Sequence, residues 1–227
     1  MPKPSVLVFD VNETLLDIES IAPLFGELFG DERILREWFG QLVMYSMAIT
    51  LAGNYVTFPV LAQAVLRMLG DIYQVDVTDG DLDRLKTALL TMPAHRDAAD
   101  GLAVLRDKGF RLVTLSNSPP NPDGPTALQH SGLAGFFEHQ LSVDARNAFK
   151  PSPHVYRYAC ETLGVAPADC MMVAAHVWDT IGAQRVGFSG ALITRRGNAP
   201  LPVDGLPQPN IVVSDLPQLA EQLVELR

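Results

Sequence analysis

Hydrophobic and polar positions divide the chain into two kinds of region. Short apolar runs without polar alternation occur at Ser5-Val6-Leu7-Val8-Phe9, Phe110-Arg111-Leu112-Val113-Thr114-Leu115, Met171-Met172-Val173-Ala174, Ser189-Gly190-Ala191-Leu192-Ile193 and Asn210-Ile211-Val212-Val213. Such runs predict strands buried on both faces, as in a parallel sheet. Segments with helical spacing, 97–108, 152–163, 177–186 and 215–226, alternate with them. The alternation predicts an α/β fold, a Rossmann-like parallel sheet core with helices on both faces. Gly109 and Gly187 fall between helix and strand, where a left-handed helix end suits glycine.

Residues 16–92 read differently. Apolar-rich segments 20–29, 32–52, 57–70 and 79–90 carry helical spacing, with short breaks at Gly30, Gly53-Asn54 and Gly70-Asp71. The expectation is a helical cap inserted after the first strand, so that 1–15 and 93–227 form the α/β core and 16–92 the cap. Within 32–52, Trp38, Leu42, Tyr45 and Ile49 share a face. That face reads either as helix packing or as the apolar wall of a cleft. The rigid loop Pro119-Pro120-Asn121-Pro122-Asp123-Gly124-Pro125 follows a strand end, where the ligand crevice of such sheets lies.

Composition narrows the partners. The 227 residues suffice for one substantial core and a modest second unit. Seventeen Lys+Arg against 26 Asp+Glu give a net charge of -9 with no basic stripe, which disfavours nucleic acid and anionic membranes. Cys160 and Cys170 are too few for a disulfide scaffold and read as buried thiols, one in a helix and one just before a strand. No basic segment leads into a signal-like apolar run, and no uninterrupted run approaches about 18 apolar residues. A cytoplasmic protein is expected.

The candidate chemistry collects at strand ends. The first apolar run closes in Asp10, followed by Val11-Asn12-Glu13-Thr14-Leu15; the second leads to Ser116-Asn117; the third leads to Ala175-His176-Val177-Trp178-Asp179. Taken singly, each of these also reads as a turn former or helix cap. Lys150, in Phe149-Lys150-Pro151, lies on the loop between the second and third runs, with Tyr156 six residues later. Parallel strands would bring these groups to one sheet edge as a nucleophile or base, a polar cradle, a cation and a second carboxylate. Dinucleotide, P-loop and nucleophile-elbow glycine patterns are absent, and the five histidines form no zinc spacing with the cysteines. No cofactor is expected. Asn12-Glu13-Thr14 matches the glycosylation pattern only formally.

These motifs, with Tyr45, Asn54-Tyr55-Val56-Thr57-Phe58, Leu141-Ser142-Val143-Asp144 and Val155-Tyr156, resemble the haloacid dehalogenase superfamily, and within it the (S)-2-haloacid dehalogenases of type II. The resemblance implies that Asp10 attacks the halogen-bearing carbon of a short 2-haloalkanoic acid. Halide leaves, and water then hydrolyses the aspartyl ester to the 2-hydroxy acid. It implies that Thr14 orients Asp10, Lys150 keeps it ionised, Tyr156 supports that arrangement, and Asp179 positions or activates water. Ser116 and Asn117 would hold the substrate carboxylate, with Phe58 and Trp178 as apolar walls.

The same resemblance brings out departures. Related phosphatases carry an aspartate where this chain has Asn12, and their metal site uses an acid at the position of Ala174, so dehalogenation without a required metal is expected. Type II dehalogenases usually have a tyrosine at Asn12, an arginine at Phe39, and serine and asparagine at Ala174 and His176. Either His176, Asn12 and Gln41 rebuild the anion pocket, or the enzyme prefers another substrate. Pairing as a homodimer through 32–52 and 57–70 is implied by the resemblance, although those helices could equally pack only on each other. The residues leave two other readings open: a phosphate-ester or other acid hydrolase of the same superfamily, and a non-catalytic small-anion binding protein.

Overall fold

The first strand is completely enclosed: all four side chains of β1 (Val6–Phe9) are at 0% exposure. A run with no polar alternation is stable only in such a place, with helices on both sheet faces. In this computed structural model, which describes residues 3–121 and 123–225, β1 is joined by β2 (Arg111–Ser116), β3 (His139–Ser142), β4 (Cys170–Ala174), β5 (Ser189–Ile193) and β6 (Ile211–Val213). These strands form one parallel sheet in the order β3-β2-β1-β4-β5-β6. The order reverses direction between β1 and β4, so the crevice beyond their carboxyl ends is the topological switch point where such sheets bind ligands. In register, Phe9 lies opposite both Thr114 and Val173, which sets Asp10, Ser116 and the start of the β4 turn side by side.

Strand β3 is absent from the sequence expectation. It is a four-residue edge strand whose first two residues, His139 and Gln140, are exposed, so no apolar run marks it. Cys170 is the first residue of β4 rather than preceding it, and both cysteines are buried free thiols.

Four helices, α1 (Ala22–Phe29), α2 (Ile34–Leu51), α3 (Phe58–Tyr73) and α4 (Asp79–Leu90), lie between β1 and α5 (Ala98–Asp107). The short α6 (Ala127–His130), then α7 (Pro153–Leu163), α8 (Val177–Arg185) and α9 (Leu216–Glu225), complete the chain. Helix α3 does not end at Gly70-Asp71 as the glycine suggested. It continues to Tyr73, and Gln74 takes the left-handed cap at φ 57°. The expected glycine caps at Gly109 and Gly187 do have left-handed backbones, at φ 84° and 104°. Pro122 and Leu226, inside the predicted loop and last helix, lie outside the described residues.

The helical segment leaves and rejoins the sheet at one place. Asp17 N donates to Pro93 O at 2.8 Å, and His95 N donates to Leu15 O at 2.9 Å. Buried Trp38 joins α2 to α3 through Nε1–H on Ala62 O at 3.0 Å. Two further bonds tie α2 and its following loop to the stretch before Lys150: Phe149 N donates to Thr50 Oγ1 at 2.9 Å, and Tyr55 Oη donates to Asp144. Gly182 in α8 lets this stretch pack closely, because a Cβ there would come within 2.6 Å of Pro151 and 2.8 Å of the Tyr156 ring. Among the described residues, no helix is long and apolar enough to cross a membrane.

Candidate active site

Asp10 follows β1 directly, and its carboxylate is bound on both oxygens. Lys150 Nζ donates to Oδ1 at 2.7 Å and Thr14 Oγ1 donates to Oδ2 at 2.8 Å. The Thr14 hydroxyl in turn accepts from Ala175 N at 2.8 Å, so its single proton is directed at Asp10. The Thr14 carbonyl is clamped by Arg195, from Nε at 3.1 Å and Nη2 at 3.0 Å, and Arg195 is paired with Asp97 at 2.7 Å. The β1 turn is thus fixed from the far side of the sheet.

Lys150 is fully buried, yet its ammonium is satisfied. Besides Asp10 it donates to Asp179 Oδ2 at 2.6 Å and to Leu115 O at 2.9 Å. Its Nζ also lies 5.7 Å from the Trp178 ring centroid, a cation–π distance. Asp179 receives the Tyr156 hydroxyl on Oδ1 at 2.7 Å. Burial pushes the Asp10 carboxyl up, but Lys150 and then His176 outweigh it and hold it well below the usual carboxylate range. Burial and the neighbouring Asp10 charge leave Asp179 above its ordinary value, although Lys150 and Tyr156 pull the other way. Burial alone would weaken the Lys150 ammonium, whereas the two carboxylates hold its pKa above the ordinary lysine value. This donor set does not suit a divalent cation: the ammonium fills the space between the carboxylates, and Ala174 offers no side-chain oxygen.

His176 closes the other side. Its Nε2 is 2.7 Å from Glu13 Oε2, and its Nδ1 lies 3.5 Å from Asp10 Oδ2 as a charge contact without a hydrogen bond. The ring stacks on Trp178 at 4.9 Å with 17° between planes, and Phe39 covers it at 5.6 Å. Arg36 binds Glu13 and Glu19 from α2. The pocket between these groups is lined by Asp10, Asn12, Ser116, Asn117, His176 and Trp178 at the sheet edge, and by Phe39, Val43 and Phe58 from the helical segment. Its volume is about 10 Å³, room for roughly one water. A larger cavity of about 320 Å³ shares Asn12, Phe58 and Ser116 with it and runs under Pro119, Pro120 and Asn121.

A family model for haloacid dehalogenase-like hydrolases matches residues 4–187. The chain belongs to that family. Among curated haloacid dehalogenases, (S)-2-haloacid dehalogenase 4A of Burkholderia cepacia is 33% identical over 85% of this chain and 84% of its own length. The (S)-2-haloacid dehalogenase of Pseudomonas sp. (strain YL) is 30% identical, over 85% and 83% respectively. The solved L-2-haloacid dehalogenase from Xanthobacter autotrophicus with chloropropionic acid covalently bound superposes with a TM-score of 0.87 at 26% identity, covering 99% of this chain and 100% of that one.

For this haloacid dehalogenase-like hydrolase, the structure brings together Asp10, Asn12, Thr14, Phe39, Phe58, Ser116, Asn117, Lys150, His176, Trp178 and Asp179, all within or directly behind the pocket. Asn117 Oδ1 accepts from Lys150 N at 3.2 Å, which leaves its amide protons for a ligand. Tyr156 is fully buried behind Asp179, to whose Oδ1 it donates as the supporting role requires, and it does not line the pocket as a substrate-binding residue would. Gln41 and Tyr45 are corrected, since neither lines the pocket and Tyr45 is exposed. The reason is helix phase. Relative to pocket-facing Phe39, positions 41 and 45 are turned by roughly 200° and 240°, whereas Val43 returns to within about 40°.

Glu13, Arg36, Val43 and the Arg195–Asp97 clamp escaped the sequence reading. Val43 had a signal, being one helical turn beyond Phe39. Glu13 stood inside the Asp10 motif as a charged residue between two polar ones, with nothing to indicate its partner. Arg195 and Asp97 carried no pattern at all, because their meeting depends on the complete sheet order.

Proposed function

We propose that this chain hydrolyses the carbon–halogen bond of a short 2-haloalkanoic acid through an ester on Asp10. The observation that carries this reading is a desolvated, ionised Asp10 with Lys150 and Thr14 fixing its two oxygens and Asn12 two residues later. Positioning and desolvation make a carboxylate a competent nucleophile. Halide departs without needing a proton, so an asparagine at position 12 is no handicap, whereas phosphate-ester cleavage would miss an acid for the leaving alcohol.

In the first step an Asp10 oxygen bonds to C2 of the substrate as the carbon–halogen bond breaks and the halide takes the electron pair. The Asn117 amide, the Ser116 hydroxyl and His176 are the donors available to the substrate carboxylate and the halide. In the second step water attacks the Asp10 ester carbonyl. Alkylation has removed the Asp10 charge from Lys150, and Asp179, whose affinity for a proton is raised, accepts the proton from water. Collapse returns Asp10 as carboxylate and releases the 2-hydroxy acid, the proton left on the intermediate passing to the departing alkoxide and the one on Asp179 to solvent. A single displacement at C2 inverts its configuration.

Substrate enters in this reading by movement of the helical segment that carries Phe39, Val43 and Phe58. Residues 16–92 thus act as a cap on the core formed by 1–15 and 93–227. The reading includes a cytoplasmic location and a homodimer formed through the cap, the latter supported by exposed Leu51 and Val60 on α2 and α3.

The test is halide release from fluoro-, chloro- and bromoacetate and from each enantiomer of 2-chloropropionate, with EDTA present and Asp10→Asn as control. Turnover that persists in EDTA and falls by on the order of 10⁴-fold or more in the variant is expected. In oxygen-18-labelled water, repeated turnover should place the label in the Asp10 side chain. No halide from any substrate would overturn the reading, as would label appearing in the product alone after one turnover.

A further inference from the structure

Lys150 has no donor left for a ligand. Its three N–H bonds are spent on Asp10 Oδ1 at 2.7 Å, Asp179 Oδ2 at 2.6 Å and Leu115 O at 2.9 Å. Of the side chains lining the pocket around Asp10, His176 is then the one able to carry positive charge. It is 7% exposed, and its Nδ1 is buried beside the nucleophile without a hydrogen-bond partner. A buried donor without a partner is costly unless something else meets it. Stacking on Trp178 and cover from Phe39 fix the ring plane, and Glu13 fixes which nitrogen faces inward.

Glu13 is itself unusual. Its backbone has φ 67°, in the left-handed region where glycine would sit without strain and a glutamate does not. Its side chain is 3% exposed, with one oxygen on His176 Nε2 and the other on Arg36. A strained backbone and a buried charge are both tolerated here to place one carboxylate against one imidazole.

We propose that Glu13 is a positioning residue that keeps His176 an imidazolium with its Nδ1–H free for a small monoanion in the pocket, and that Arg36 anchors Glu13 for this purpose. Whether that anion is a haloacid carboxylate or the departing halide rests on the dehalogenase reading; the cation site rests on the geometry alone. The groups facing His176 are Asp10 and Glu13 from the β1 turn, with Lys150 and Asp179 behind Asp10 and Arg36 of α2 behind Glu13. Burial pushes the imidazole down, but the Asp10 and Glu13 carboxylates outweigh it and raise it to about 9. Anion affinity therefore declines as pH rises through that value.

The experiment is nitrogen-15 NMR titration of labelled histidine in the intact protein and in Glu13→Gln, with bromide as the probe. In the unaltered protein His176 is expected to titrate near 9, with bromide perturbing its Nδ1 signal and binding more weakly above that pH. In the variant the titration should fall by roughly 1–2 pH units and bromide affinity at pH 8 by about 10-fold, with a larger change in KM than in kcat for chloroacetate. A His176 that titrates at or below 6.5 in the unaltered protein overturns the inference, and so do unchanged titration and bromide affinity in the variant. Normal His176 behaviour with no halide released from any haloacid would instead remove the dehalogenase reading and leave the anion site standing.

Discussion

Lys150 and His176 lie on opposite sides of the Asp10 carboxylate and are both buried, but their surroundings differ in kind. On the Lys150 side every hydrogen-bonding group is matched: three acceptors for three N–H bonds, and Tyr156 on the remaining Asp179 oxygen. All of those residues come from the sheet edge and the helices next to it. On the His176 side one nitrogen is matched by Glu13 and the other is not, and Phe39 and Arg36 come from α2. A closed circuit holds Asp10 ionised, because its ammonium has no donor left for a ligand. An open one is where a ligand is met. Identical formal charge on the two residues conceals this division of labour, and hydrogen-bond accounting exposes it.

The comparison can be broken most severely at the lysine. Lys150→Met leaves Asp10 and Asp179 as buried carboxylates without their shared cation, so unfolding in urea should show a loss of about 3–5 kcal/mol at pH 7. Halide release should fall on the order of 10³-fold. Equal stability of the variant would mean the circuit is not closed as described. His176→Ala removes only the open side. It should raise KM about 10- to 100-fold while changing kcat less, measured by initial rates over a range of haloacid concentrations; a pure kcat effect would place His176 in the chemistry rather than in binding.

A gentler probe is pH. His176 has a folded pKa raised to about 9 from 6.5, so its stabilising contribution is complete below 6.5 and is lost as pH rises through about 9. Asp10 and Glu13 are lowered, so their contributions are present above their ordinary values of 3.8 and 4.5 and are lost as pH falls below them. Thermal unfolding should accordingly give a plateau in Tm between about 4.5 and 6.5 with a decline toward alkaline pH. His176→Ala should flatten the alkaline side. Smallest of all, Tyr45→Ala should leave halide-release kinetics within about 2-fold and stability within roughly 0.5 kcal/mol, because that side chain faces away from the pocket.

Much of this arrangement was legible from residue order. Uninterrupted apolar runs ending in Asp10, in Ser116-Asn117 and before His176 could be placed at one edge because parallel strands share a carboxyl end, and β2-β1-β4 adjacency bears that out. Strand β3 was not legible, since a short exposed edge needs little hydrophobic signal. Gln41 and Tyr45 misled because family likeness marks a helix but not its rotation, and one residue of phase moves a side chain by about 100°. Glu13 was invisible in another way. Its role follows from a backbone angle and from His176, 163 residues away, neither of which local sequence encodes.

The Arg195 clamp on the Thr14 carbonyl has a consequence for how the protein comes into being. Asp10 and Lys150 are separated by 140 residues, Thr14 and the Ala175 amide by 161, and Thr14 and Arg195 by 181. Contacts that distant close late, since the loop entropy must be met before they contribute anything. A chain emerging from the ribosome can therefore bury β1 against β2 long before the Asp10 carboxylate is oriented. That arrangement waits for the last third of the polypeptide, so an incomplete chain carries Asp10 without the groups that hold its carboxylate.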